Sequence, residues 1–212
     1  MDPKLMAAMQ VQLDLRRSAL AAGAQHIGWK IGFNTPAAQQ EAEIDTPAIG
    51  FLTSATAVGY GSHLSLEGVT KPMIEPEVAI EVGEMGDVVS LAAAMEVVDV
   101  NAPFSDVEQV VAGNIFHRAV LLGDFRPGYP PPRKAAVLVN GEERAQVEVD
   151  EDFDPEEVIS FVTRELAEVG ETLLPGDKII AGSLTPPVEI APGDRVGVQM
   201  DNLGMIQLVF KK

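Results

Sequence analysis

The chain of 212 residues contains no cysteine. No disulfide can staple it, and no thiolate can ligate a metal or attack a substrate, which fits a reducing, cytoplasmic setting. Long apolar runs are also missing. Hydrophobic stretches are cut early by Gly, Pro or charge, short of the ~20 residues a helix needs to cross a bilayer. The start, MDPKLMAAMQVQLDLRR, has neither the basic head nor the apolar block of a signal peptide. Positive charge is scarce: 15 Lys and Arg stand against 32 Asp and Glu, a net charge of −17. A polyanion such as nucleic acid would be repelled, and pairs such as Arg16-Arg17 and Lys211-Lys212 are too small to offset this. A small anionic ligand would need positive charge concentrated locally, and a divalent cation held by carboxylates supplies it. No G-x-G-x-x-G, Walker loop or G-x-S-x-G is present, and His26, His63 and His117 show no metal-ligand spacing.

What is present reads as a globular α+β protein. Hydrophobic residues make up 46% and are spread along the chain, and the length suits a single domain over 1–212. Residues 2–22 read as a helix with Gly23 as its stop, so that 1–23 packs as an N-terminal helix on the rest. HIGWKIGF (26–33) reads as a strand, and NTPAAQQEAEIDTPAIGFL as a loop or short helix ending in a strand near 49–52. Ser105 followed by Glu108 has the capping-box spacing and predicts a helix through Leu122, with Asn114 and Arg118 one turn apart on it. Asn140-Gly141 inside KAAVLVNGEERAQVEV predicts a hairpin. Asp154-Pro155 opens a third helix ending by Gly170, and DKIIAGSL, PVEI, RVGVQM and MIQLVF read as strands. The expectation is a mainly β, largely antiparallel architecture with three flanking helices.

The segment IEPEVAIEVG (74–83) carries the first candidate chemistry. Ile74, Val78, Ile80 and Val82 alternate with Glu75, Glu77 and Glu81. On a strand, Glu75 and Glu77 leave the same face about 7 Å apart, close enough to converge on one hard cation. Polar-out alternation produces such glutamates on solvated strands as well, so the pair alone does not specify a metal. A third acid is needed; Glu96 in AAAMEVVDV sits among apolar neighbours, with Asp99 as the alternative, and Glu81 reads as a solvated neighbour. Lys30 in GWKIG has only Gly28 and Gly32 on its face, leaving room for a ligand beside an ammonium able to serve as acid or base. An exposed lysine on an amphipathic strand fits the same pattern. GSLTPP (182–187) is a small-residue turn whose Ser183, Thr185 and backbone N–H groups could bind a carboxylate, or an ordinary strand-to-turn junction.

Taken in order, GWKIGFNTPAAQQ, DTPAIGFL, IEPEVAIEV, MEVVD and GDKIIAGSLTPPVEIAPGDRV resemble the 2-keto-4-pentenoate hydratase and 4-oxalocrotonate decarboxylase family of the fumarylacetoacetate hydrolase superfamily. The resemblance runs from about residue 10 to the C-terminus and lies in the order of the five blocks. It implies a mixed, mainly β roll of the fumarylacetoacetate hydrolase type, a buried Mg²⁺ or Mn²⁺, and homo-oligomeric assembly. It also implies hydratase action on 2-hydroxypenta-2,4-dienoate-type 2-oxo acids from aromatic ring cleavage. Matched position by position, the metal ligands fall on Glu75, Glu77 and Glu96 and the active-site lysine on Lys30. Gly32, Ser183 and Thr185 are, separately, the expected substrate contacts. The sequence departs from the family at three places. Ala48 stands where hydratases of the family carry an acid, and there it looks like the decarboxylases. The interval from Glu77 to Glu96 is short, and Phe116 replaces the serine of an Asn-x-Ser pattern. The implied alternatives are a decarboxylase of 4-oxalocrotonate-type 2-oxo-enedioates, or a catalytically weak partner subunit of the same fold.

Overall fold

A computed structural model describes residues 2–212, among which thirteen strands and four α-helices form. The Asp2 side chain accepts the Lys4 N–H and caps a 3₁₀ turn, Pro3–Leu5, that runs into α1 (Met6–Ala21). β1 (His26–Gly32) is followed by a short α2 (Pro36–Ala42), whose N-cap Thr35 accepts from Ala38 N. β2 (Ala48–Thr53), β3 (His63–Leu64), β4 (Pro72–Val82) and β5 (Val88–Asp99) come next. Then follow a 3₁₀ turn (Phe104–Asp106), α3 (Val107–Ala112), β6 (His117–Leu122) and β7 (Arg126–Pro127). The expected hairpin is β8 (Lys134–Val139) and β9 (Glu142–Glu148), turning at Asn140 and Gly141 with φ of 55° and 86°. Asp154 caps α4 (Pro155–Glu168), and β10 (Lys178–Ile180), β11 (Val188–Glu189), β12 (Arg195–Met200) and β13 (Gly204–Phe210) complete the chain. The architecture is α+β and mostly sheet, as expected from the sequence.

The helix expected over 105–122 forms only over Val107–Ala112. Ser105 lies inside the 3₁₀ turn and Asp106 holds the N-cap without a side-chain bond, so no capping box closes. The helix ends at Ala112, and three successive residues, Asn114, Ile115 and Phe116, adopt φ of 68°, 51° and 60°. The segment 117–122 instead pairs with β5, where Ala119, Val120 and Leu121 are buried. Ladder hydrogen bonds and core burial thus override a local helix signal. Asn114 and Arg118 are consequently not neighbours on a helix. DKIIAGSL is a strand only through Ile180, after which 181–187 peels away as a loop.

One sheet runs β2-β1-β10-β4-β5-β6, with β11 added on β4 and β7 on β5; the other runs β3-β13-β12-β8-β9. The first sheet rolls up until its two edges meet. Just past β2, Val58 N donates to Val120 O at 2.8 Å, and Val120 N donates to Thr56 O at 3.0 Å. Asn114 bridges the same seam, accepting from Phe51 N at 2.8 Å and donating to Phe51 O at 3.0 Å. Alternation then sorts the residues. Trp29, Ile31, Ile74, Val78 and Ile80 face outward into the main core. Leu52, Ala79, Ala92, Ala94, Val120 and Ile180 form a small apolar cluster inside the roll. A tightly rolled sheet has little room within, so alanine is used where Ala79 faces Ala92.

Candidate metal centre and its cavity

Strand register brings the acids together. Glu75 on β4 lies directly across from Glu96 on β5, and Glu77, two residues along, faces the small Ala94. All three side chains leave the inner face, and one carboxylate oxygen of each lies within 4.8 Å of the others. Glu77 and Glu96 are fully buried, while Glu75 is partly exposed toward a cavity. Glu77 Oε2 accepts the Gly182 N–H at 2.6 Å, because the loop after β10 turns back over it. Glu77 Oε1 and Glu96 Oε2 are buried and receive no hydrogen bond from any N–H or hydroxyl group, so that only a proton shared between the two carboxyls could pair them. Leaving a buried carboxylate oxygen unpaired is costly, and two of them converging suit a hard, oxygen-seeking cation. The donor set, three carboxylates, fits a hard divalent cation.

Lys30 reaches the same point from β1. Its Nζ lies 2.5 Å from Glu96 Oε1 and donates to Ile115 O at 3.0 Å, with the whole residue buried. The stem crosses Gly50, its partner on β2. A Cβ there would come within 2.7 Å of Lys30 Cγ and 2.6 Å of Asn114 Oδ1, so only glycine leaves the lysine its path.

The charges are strongly coupled. Burial, helped by the Glu96 charge, pushes the Glu75 carboxyl up to about 7, with Lys30 opposing. Burial and the charges of Glu96 and Glu75 hold Glu77 well above the usual carboxylate range. Burial also works against Glu96, but the Lys30 ammonium and the His117 hydrogen bond outweigh it and bring Glu96 to about 2. For Lys30, burial favours the neutral amine, and the surrounding Glu96, Glu75 and Glu77 more than reverse it, so its pKa rises. The metal-free cluster therefore holds one carboxylate–ammonium pair, Glu96 with Lys30, and two carboxyls, Glu75 and Glu77, that hold a proton more tightly than a free glutamate does and would release it to a dication.

His117 was not legible as a functional residue. Its Nδ1 lies 2.6 Å from Glu96 Oε1 and its Nε2 2.9 Å from Thr56 Oγ1, fixing the carboxylate from behind. Its position at the start of β6, rather than on the expected helix, places it there. Asp99, the alternative third acid, is occupied elsewhere: it accepts from Thr70 N and Lys71 N and pairs with Arg118. Glu81 is not merely solvated, since Lys178 lies 2.5 Å away and the Ser90 hydroxyl also donates to it.

Lys30, Gly32 and Glu75 open onto a cavity of about 310 Å³. Its walls come from the segment after β1, the 3₁₀ turn at Phe104, the left-handed turn ending at Phe116, and the loop 183–187. Gly32, Ser183 and Thr185 all line it. Both hydroxyls point their donors at backbone, Ser183 Oγ to Thr185 O at 2.7 Å and Thr185 Oγ1 to Pro186 O at 3.0 Å. Phe33 and Phe104 meet edge-to-face at 5.4 Å, and Phe104 and Phe116 lie 5.9 Å apart. Phe33 and Phe116 have φ of 55° and 60°. Bulky residues in the left-handed region cost on the order of 1–3 kcal/mol each and gather at ligand sites. A broader depression of about 490 Å³ on the second sheet, lined by Asn140, Arg195 and Gln207, holds no converging acids.

The family model for fumarylacetoacetate (FAA) hydrolase, C-terminal, matches residues 20–210. The chain belongs to the fumarylacetoacetate hydrolase family. Within that family it is 26% identical over 235 residues to the TodF product hydratase of Pseudomonas putida strain F1, covering 100% of this chain and 86% of the relative. It is 27% identical over 228 residues to a 4-oxalocrotonate decarboxylase of Pseudomonas putida, covering 96% and 84%. The 4-oxalocrotonate decarboxylase from Pseudomonas putida G7, solved with magnesium and adipate, shares the fold with a TM-score of 0.87 at 24% identity, covering 96% of this chain and 84% of that one.

Proposed function

We propose that the protein is a divalent-metal-dependent lyase, a hydratase of small 2-hydroxy-2,4-dienoate or 2-oxo acid substrates in aromatic catabolism. The observation that carries this reading is the convergence of Glu75, Glu77 and Glu96, two of them with buried oxygens that no N–H or hydroxyl group reaches, beside the Lys30 ammonium. These three carboxylates would hold Mg²⁺ or Mn²⁺, whose chemistry there is to bind a 2-oxo carboxylate and stabilise negative charge on its oxygen. Lys30 supplies a proton donor at the cavity floor. Its two hydrogen-bond partners, Glu96 and Ile115 O, leave one N–H direction for the substrate. His117 keeps Glu96 in place, and Phe33, Phe104 and Phe116 give the substrate chain an apolar wall. Relatives named as hydratases and decarboxylases support the reaction class. A cytoplasmic homo-oligomer is part of the same reading; among the described residues no helix is long and apolar enough to cross a membrane.

A decarboxylase is the second reading, and Ala48 favours it. The residue is 3% exposed and lies directly across from Gly32, which lines the cavity. Purified protein with Mg²⁺ or Mn²⁺ and 2-hydroxypenta-2,4-dienoate should consume the dienol absorbance without releasing CO₂. CO₂ release from 2-oxohex-3-enedioate would select the decarboxylase, and inertness toward both with metal bound would refute lyase function.

A further inference from the structure

Glu96 can serve as a ligand only if its carboxylate is kept from turning. Lys30 Nζ at 2.5 Å and His117 Nδ1 at 2.6 Å both hold Glu96 Oε1. That leaves Oε2, which no N–H or hydroxyl group reaches, as the oxygen available to an ion. Of the two holds the lysine is the looser, because an ammonium on a flexible four-carbon stem can follow the carboxylate as it turns. An imidazole is a rigid strut, provided its own ring cannot pivot. Held at Nδ1 alone, the ring swings with the carboxylate; held at both nitrogens, it cannot.

The second hold is Thr56, whose Oγ1 lies 2.9 Å from His117 Nε2. A hydroxyl suits either placement of the ring protons, since it can donate to a bare nitrogen or accept from an N–H. Its other contact, to Thr53 O, is longer at 3.3 Å. The His117 side chain is 2% exposed, so losing the hydroxyl would leave a buried ring nitrogen unpaired.

Closure of the roll brings Thr56 there. β2 ends at Thr53, and the chain turns with Thr56 N donating to Thr53 O at 3.1 Å. It then runs beside β6, where Ala57 pairs in parallel with Val120 and Thr56 O accepts the Val120 N–H. Val120 is also the partner of Glu96 across β5 and β6. The β5–β6 register shifts between Val97 and Val98, which sets His117 opposite Val98; such irregularities re-aim side chains. The seam of the roll thus lies one strand from the metal ligand and carries the hydroxyl that braces it.

We infer that Thr56 is a positioning residue of the metal centre: its hydroxyl fixes the His117 ring, and through that ring it keeps Glu96 Oε2 turned to the ion. This rests on the metal reading of Glu75, Glu77 and Glu96.

Calorimetry with Mn²⁺ tests the inference. Thr56→Val keeps the side-chain shape and removes the hydroxyl, and Mn²⁺ affinity should fall about tenfold with the circular dichroism unchanged, the scale typical of groups that orient a metal ligand. Thr56→Ser keeps the hydroxyl and should bind Mn²⁺ like the parent protein. In a His117→Ala background, Thr56→Val should cost no further affinity, because the ring it acts through is gone. A purely structural role for Thr56, through Thr53 O, would persist in that background. Parent-like affinity in Thr56→Val, an equal loss in Thr56→Ser, or an undiminished loss on top of His117→Ala would each overturn the inference while leaving the acidic triad as the metal site. Should His117→Ala fail to fold, the contrast between valine and serine at position 56 decides alone. A parent protein that binds no Mn²⁺ would overturn both the inference and the metal reading.

Discussion

Removing the negative charge of Glu75 should change how the stability of the metal-free protein depends on pH. The Glu75 carboxyl rises from 4.5 to about 7 on folding, chiefly through burial. A raised carboxyl means that, between those values, the native state holds a proton the unfolded chain has released. Stability therefore falls as pH rises through this window. At about 1.4 kcal/mol per pH unit, the shift amounts to a loss of about 3 kcal/mol once pH exceeds the folded value. Glu77 acts in the same direction. Glu96 acts oppositely: its folded value near 2 gives stability that is present above 4.5 and lost on acidification toward 2. Denaturant titration of chelator-treated protein at about pH 5 and about pH 8 measures the loss, and Glu75→Gln should make the pH profile flatter by about 3 kcal/mol. Comparison with this variant removes the background from the large net negative charge. Added Mg²⁺ or Mn²⁺ should stabilise the parent protein increasingly as pH rises, since the ligands must be deprotonated to bind. Identical slopes in parent and variant, or metal stabilisation that ignores pH, would refute the account of the cluster.

Three further outcomes follow from the same geometry. Glu77→Gln retains an acceptor for the Gly182 N–H but loses a ligand charge; Mn²⁺ affinity by calorimetry should drop by about a hundredfold or more with the circular dichroism unchanged, and parent-like affinity would remove Glu77 from the metal site. Lys30→Ala should slow metal-dependent turnover by about 10²- to 10⁴-fold while leaving a metal site; a rate equal to the parent's would dismiss Lys30 as the proton donor. Gly50→Ala puts a Cβ 2.7 Å from Lys30 Cγ. Denaturation should report a loss of about 1–3 kcal/mol, and a neutral effect would show that the lysine stem can move aside.

Much of this protein was written locally. The alternation in IEPEVAIEVG, the Asn140-Gly141 turn, the Asp154 cap and the glycines flanking Lys30 each specify a short piece of backbone, and each piece formed. These signals are legible because they depend on neighbours within a few residues. The Ser105–Glu108 spacing was equally local and misled, since β5 offered residues 117–122 a ladder that a helix could not match. Nothing near His117 in sequence announces Glu96 twenty-one positions earlier; only the pairing of β5 with β6 brings them within 2.6 Å. The same holds for the aromatic wall, where Phe33, Phe104 and Phe116 meet because a rolled sheet carries separate loops to one mouth.

The sequence by itself determined which residue types could do the chemistry, because side-chain alternation along one strand needs no partner. Only the tertiary structure decided which acids converge, which lysine is paired with them, and which side chains line the cavity beside them. Those are distances between strands far apart in the chain, set by register and by closure of the roll.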